Sequence, residues 1–167
     1  LVAVGTVSGD VIALSAGDGH VLWRVFVRVE VLSEPLVAPG AVVVRTVDGR
    51  LVALARDDGR ELWSVEQQVP RLTLRGIAPP VYAGDVVLCG FDNGKVVAAS
   101  LHDGSVLWES TVAPPRGRTE LERLNDIDSR VWVSGDNVFA VGFQGRVAML
   151  ALDSGQIWWA HDLSSYR

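Results

Sequence analysis

Cysteine is nearly missing from this chain: Cys89 is the single one among 167 residues, so no intramolecular disulfide can form. Its setting, VVLCGF, reads as a buried strand position and not as an exposed reactive thiol. Three histidines are present, His20, His102 and His161, and their scattered positions give no metal-ligand spacing. No apolar run approaches the ~20 residues of a membrane-spanning helix. No long helical periodicity is present, and no glycine-rich phosphate loop leads from a strand into a helix. Basic residues are too few to dominate, 15 against 20 acidic ones, and the two signs are interspersed for a net charge of −5. That balance points away from a nucleic-acid partner, which needs a basic face. Neither a metal nor a cofactor is expected, and no nucleophile–base arrangement marks a catalytic centre.

What is abundant is apolar, β-branched sequence punctuated by glycine: 49% hydrophobic residues, 21% charged and 17 glycines, the balance of a globular chain rich in short strands. The run GRLVALARDDGRELW at 49–63 recurs as GDVIALSAGDGHVLW at 9–23, GKVVAASLHDGSVLW at 94–108 and GRVAMLALDSGQIWW at 145–159. In each copy a first glycine (Gly9, Gly49, Gly94, Gly145) opens the hairpin, and a second one precedes a tryptophan (Trp23, Trp63, Trp108, Trp159) by four residues. One hairpin cannot bury its own apolar face, so such a repeat is stable only when stacked on its neighbours.

Ahead of each later copy lie two more strand candidates around a glycine: 35–38 and 41–47, 78–82 and 86–91, 130–133 and 138–143. Each unit therefore holds strands A to D, and the first, at the opening LVAVGTV, has B, C and D only. Four-stranded units repeating every 40 to 51 residues with an aromatic mark predict an all-β propeller of four consecutive antiparallel blades, at about 1–27, 33–66, 77–111 and 129–163. We expect a single partial ring over 1–167, belonging to a longer protein with about four more blades. The blade edges left open by half a ring are expected to drive self-association of this chain. The tryptophans, at a fixed place in every blade, are expected to pack between blades. Trp158, beside Trp159, is expected on the other strand face and partly exposed.

The distance from each A–B glycine to the following tryptophan is nearly constant, 23 or 24 residues, while the distance from a tryptophan to the next A–B glycine grows from 17 to 21 to 27. Almost all variation lies in the D–A linkers, which leave an up-and-down blade on the face of its B–C turns. Elaborated loops on one face of a rigid scaffold are where binding residues are placed. The first long linker, QQVPRLTLRGIAPP, carries Leu72, Leu74 and Arg75. Two leucines and a planar, bidentate cation suit a protein interface, or equally a loop packed onto its own blades. The second, APPRGRTELERLNDIDS, has a capping-box signal at Thr119 and Glu122, then Asn125, Asp126 and Asp128. Its acids lack the glycine and distal glutamate of a calcium loop, which leaves a solvated turn or an acidic protein-binding patch.

The A-L-x-x-x-D-G-x-x-L-W run is shared with the wide superfamily of pyrroloquinoline-quinone-type propellers. LTLRG at 72–76, FDNGKVVA at 91–98 and ERLNDIDS at 122–129, in that order, make the chain similar to the BamB family, outer-membrane lipoproteins of the bacterial β-barrel assembly machinery. The resemblance covers the whole chain and about half of an eight-bladed ring. It implies a non-enzymatic scaffold at the periplasmic face of the outer membrane, docked on the periplasmic domains of BamA. The positions it assigns to docking are Leu72, Leu74, Arg75, Asp126 and Asp128, with unfolded outer-membrane proteins as a further class of partner. The lipid-bearing cysteine of that family is expected only in the longer protein. The rivals are a quinoprotein dehydrogenase propeller, which needs a vicinal cysteine pair, and a glycan-binding propeller using Trp132 and Trp158.

Overall fold

The computed structural model describes residues 1–68, 78–114, 127, 129–142 and 145–163. Among the described residues, fifteen strands form four antiparallel sheets in strict sequence order. The first blade contains β1 (Val2–Gly5), β2 (Asp10–Leu14) and β3 (Val21–Phe26), and the second β4 (Leu36–Ala38), β5 (Ala41–Arg45), β6 (Arg50–Ala55) and β7 (Glu61–Glu66). The third contains β8 (Val81–Ala83), β9 (Val86–Gly90), β10 (Lys95–Ser100) and β11 (Val106–Thr111), and the fourth β12 (Trp132–Ser134), β13 (Asn137–Val141), β14 (Arg146–Ala151) and β15 (Ile157–Asp162). Every neighbour in a sheet is its neighbour in sequence, the up-and-down order of propeller blades. The short A strand β4 touches both β1 and β8, which puts the first strands of successive blades on the inner side of the arc.

The strand limits depart from the sequence reading for physical reasons. Strand A of the third blade begins at Val81 and not Ala78, because Pro79 and Pro80 have no N–H to give the ladder. Strand B of the second blade ends at Arg45 because Thr46 already closes the turn, donating to the Arg50 carbonyl and accepting from the Gly49 N–H.

Blade packing explains the composition. Val11, Ala13 and Trp23 of the first blade meet Val42, Val44, Val52 and Leu54 of the second. The other face of the second blade, with Val43, Leu51, Ala53 and Trp63, meets Val87, Cys89 and Val97. Leu88, Val96, Ala98 and Trp108 then meet Val138, Ala140, Ala148 and Leu150. The middle blades are covered on both sides, so β5 is buried along its whole length; β2 and β13, in the outer blades, alternate.

The tryptophan lies on its neighbour. The indole N–H of Trp23 donates to the Arg56 carbonyl, that of Trp63 to Leu101 and that of Trp108 to Leu152, each at 2.8 Å and always in the following blade. A Cβ on Gly59, Gly104 or Gly155 would lie 2.7 Å or less from that same indole. The second glycine of the repeat is thus the floor on which the preceding blade's tryptophan rests, and its φ of +68° to +75° adds a second reason for glycine. Opposite each tryptophan the C strand offers a small residue, Ala13, Ala53 or Ala98, replaced by Met149 in the fourth blade. In all four blades the C–D register shifts by one residue beside the tryptophan. The unpaired residue of that bulge, Leu22, Leu62, Leu107 or Trp158, lies on the strand face opposite the tryptophan and is exposed. The bulge also leaves Val21, Val106 and Ile157, two residues ahead of their tryptophans, exposed.

Cys89 is fully buried between the second and third blades, and burial pushes its thiol up to about 12. The folded protein should therefore fail to react with a thiol reagent at pH 8, and one equivalent should react after unfolding in guanidinium. Rapid labelling of native protein would place Cys89 elsewhere.

Candidate functional site

Register locates the linkers. Arg50 faces Glu66 at the B–C edge of the second blade, and Leu36 faces Val43, so chain leaving a D strand and chain arriving at the next A strand share the edge that carries the B–C turns. The first glycine of the repeat builds this edge. With φ of +75° to +91° at Gly9, Gly49, Gly94 and Gly145, the turn presents the glycine carbonyl to the departing D strand. Those carbonyls accept from Val27, Gln67, Val112 and Leu163 at 2.8–2.9 Å. Where the described chain returns, it lies over the same turn: the Val31 N–H donates to Thr6 and the Ile127 N–H to Phe91. A Cβ on Gly5 or Gly90 would come within 2.4 Å of Val31 or Ile127, so glycine there admits the linker.

The second blade has Arg45 where the first and third have Gly5 and Gly90. Its guanidinium Nη2 donates to Asp92 in the B–C turn of the third blade, both side chains 1% exposed, and its Cζ stands 5.2 Å from the Phe91 ring centroid. Arg45 Nε and Nη1 have no partner among the described residues. Beside it the Asn93 amide donates to the Gln68 carbonyl at 3.0 Å, and Asn93 Oδ1 accepts from the Lys95 N–H. Nearer the inner side, Arg130 pairs with Glu34 across two blades, over a cleft of about 410 Å³ lined by Pro35, Leu36, Pro79, Pro80 and Tyr82.

Leu72, Leu74, Arg75, Asp126 and Asp128 lie outside the described residues; the structure describes the anchorages on both sides of each long linker. The sequence reading missed the Arg45–Asp92 pair and Asn93. The available signal was the lone charge ending the apolar run AVVVR, at a position where two other blades have glycine. Among the described residues no group of three His, Cys, Asp or Glu could hold a metal ion. Trp132 and Trp158, 71% and 58% exposed, stand on the A and D strands of the fourth blade, roughly 14 Å apart at the usual strand spacing, and do not form one aromatic platform.

Four-stranded up-and-down blades, each tied to the next by a tryptophan and a glycine, define a β-propeller built from quinoprotein-type repeats. The same architecture occurs in the quinohemoprotein alcohol dehydrogenase ADHIIG of Pseudomonas putida HK5, at a TM-score of 0.78 and 18% identity, a likeness of fold alone. Within that class the chain belongs to the family described as outer membrane protein assembly factor BamB, which it matches over residues 1–167. It is 44% identical over 167 residues to the BamB of Alteromonas naphthalenivorans, covering 100% of this chain and 40% of that protein. To the Pseudomonas aeruginosa BamB it is 46% identical over 101 residues, 60% of this chain and 27% of the relative. The crystal structure of BamB from Moraxella catarrhalis superposes with a TM-score of 0.91 at 30% identity, covering 98% of this chain and 50% of that one. The chain thus spans two fifths or less of these curated relatives and half of the solved propeller.

Proposed function

We propose that this propeller segment is a non-enzymatic scaffold in the assembly of outer-membrane proteins, working at the periplasmic face of the outer membrane. Its two long linkers form one docking surface for the periplasmic domains of BamA. The observation that carries this reading is the shared anchorage of both linkers on the B–C edge around the third-blade turn. In this reading Leu72 and Leu74 supply buried anchor area, Arg75 makes a charge-assisted bond to a partner carboxylate or carbonyl, and Asp126 and Asp128 receive basic groups or orient Arg75. Unfolded outer-membrane proteins are a second class of client for the same surface. We also propose that separate copies of the chain associate through their open blade faces.

Arg75→Glu is expected to weaken binding of soluble BamA periplasmic domains by about 2–4 kcal/mol in a calorimetric titration. Arg60→Glu, on the opposite C–D edge, should leave it unchanged. Equal affinity of the Arg75 variant and the parent would sink the assignment.

A further inference from the structure

The B–C turn of the third blade differs from the others in what meets on it. Val112 and Ala113, where the second long linker begins, both donate to the Gly94 carbonyl, at 2.9 and 3.1 Å. Ile127, near that linker's far end, donates to the Phe91 carbonyl at 3.2 Å and packs on Gly90. Gln68, where the first long linker begins, is held by the Asn93 side chain at 3.0 Å. At that linker's far end the Ala78 carbonyl faces Cys89 Sγ at 3.7 Å. Residues 89–94 therefore touch both ends of both linkers. Among the described residues, the side chain at the Asn93 position in the first two blades reaches only its own turn: Ser8 meets Thr6, and Asp48 meets Thr46 and Arg50.

Asp92 gives this turn its placement. The equivalent position holds Val7, 70% exposed, in the first blade and Val47 in the second. Burying a carboxylate and a guanidinium costs several kcal/mol per ion, and among the described residues two nitrogens of this guanidinium find no partner. As a source of stability such a pair is inefficient, and an apolar pair of similar volume would serve as well or better. Direction is what the ion pair adds: it ties the turn of one blade to the last residue of a strand in the blade before.

We propose that the 91–94 turn, keyed to the second blade by Arg45 and Asp92, is a positioning device that sets both long linkers together, so that they meet a partner as one surface. This rests on the docking role given to the linkers above. Asn93 and the Arg45–Asp92 pair act through the linkers and not on the partner.

The test uses Asn93→Ala and the paired apolar replacement Arg45→Met with Asp92→Leu, neither of which alters a docking residue. Without any partner, both variants should exchange the Val112, Ala113 and Ile127 amides at least tenfold faster, with Val52 and Val97 in the blade cores unchanged. Unchanged exchange at all three linker amides in a folded paired variant overturns the positioning role, whatever the linkers bind. With BamA periplasmic domains, Arg75→Glu and Asp126→Asn, one on each linker, should be non-additive by at least fivefold in the parent and additive in the paired variant. Additivity in the parent, or non-additivity that survives the paired replacement, overturns the coupling. An Arg75→Glu variant that binds like the parent removes the docking reading, and the exchange experiment then decides the positioning role separately.

Discussion

Gly104→Ala is expected to destabilise the chain by about 2–5 kcal/mol, whereas Gly19→Ala costs only about 1–2 kcal/mol. The two glycines have nearly the same backbone, φ +72° and +76°, so the left-handed strain of an alanine is common to both. Their surroundings differ. A Cβ on Gly104 would sit 2.7 Å from the Trp63 ring, which is 7% exposed and held through its N–H to Leu101; at Gly19 nothing lies within 4 Å. The indole cannot retreat without giving up that hydrogen bond and its contacts with Ala53, so overpacking adds about 1–3 kcal/mol. Urea midpoints at unchanged slope would measure the difference. Equal shifts at the two sites would show that the indole–glycine contact does not control blade stacking.

Light scattering at micromolar concentration should give near twice the 18.0 kDa of one chain. Trp159 is the same device as Trp23, Trp63 and Trp108 yet is 37% exposed where they are 7–8%. Gly19 is the same floor as Gly59, Gly104 and Gly155 yet has no ring upon it. Around them the outer blade faces show Val2 and Val4 at one end and Val141 at the other, each more than 40% exposed. The chain matches 50% of the solved Moraxella catarrhalis propeller, so under the association proposed above two copies would supply the blades of one ring. Each Trp159 would then dock on the other copy's Gly19, a closed two-fold arrangement that leaves no open blade face. Trp159→Ala removes an aromatic anchor from both junctions and should weaken association at least ~30-fold. A parent chain that stays monomeric at high micromolar concentration would refute this closure.

Much of the architecture was legible along the chain, because a propeller blade is a local object. Its strands are consecutive, its turns need glycine at set places, and the Gly–Trp spacing counts the blades without any long-range information. The steady A–B glycine to tryptophan distance likewise exposed the two linkers that break the rhythm. Val21, Val106 and Ile157 were not placed by alternation: they share the parity of a tryptophan two residues on, and the bulge between them interrupts the pattern and leaves them exposed.

By itself, then, the sequence determined the strands, their order, the four-blade count and the edge from which the linkers leave, all set by contacts between near neighbours in the chain. Only the tertiary structure decided what lies between blades: that Trp63 rests on Gly104 and Leu101, that Arg45 reaches Asp92, and that one turn gathers the ends of both long linkers. Trp63 and Leu101 are 38 residues apart and Arg45 and Asp92 are 47, and their meeting depends on the rotation from one blade to the next, which no pattern within a single blade encodes.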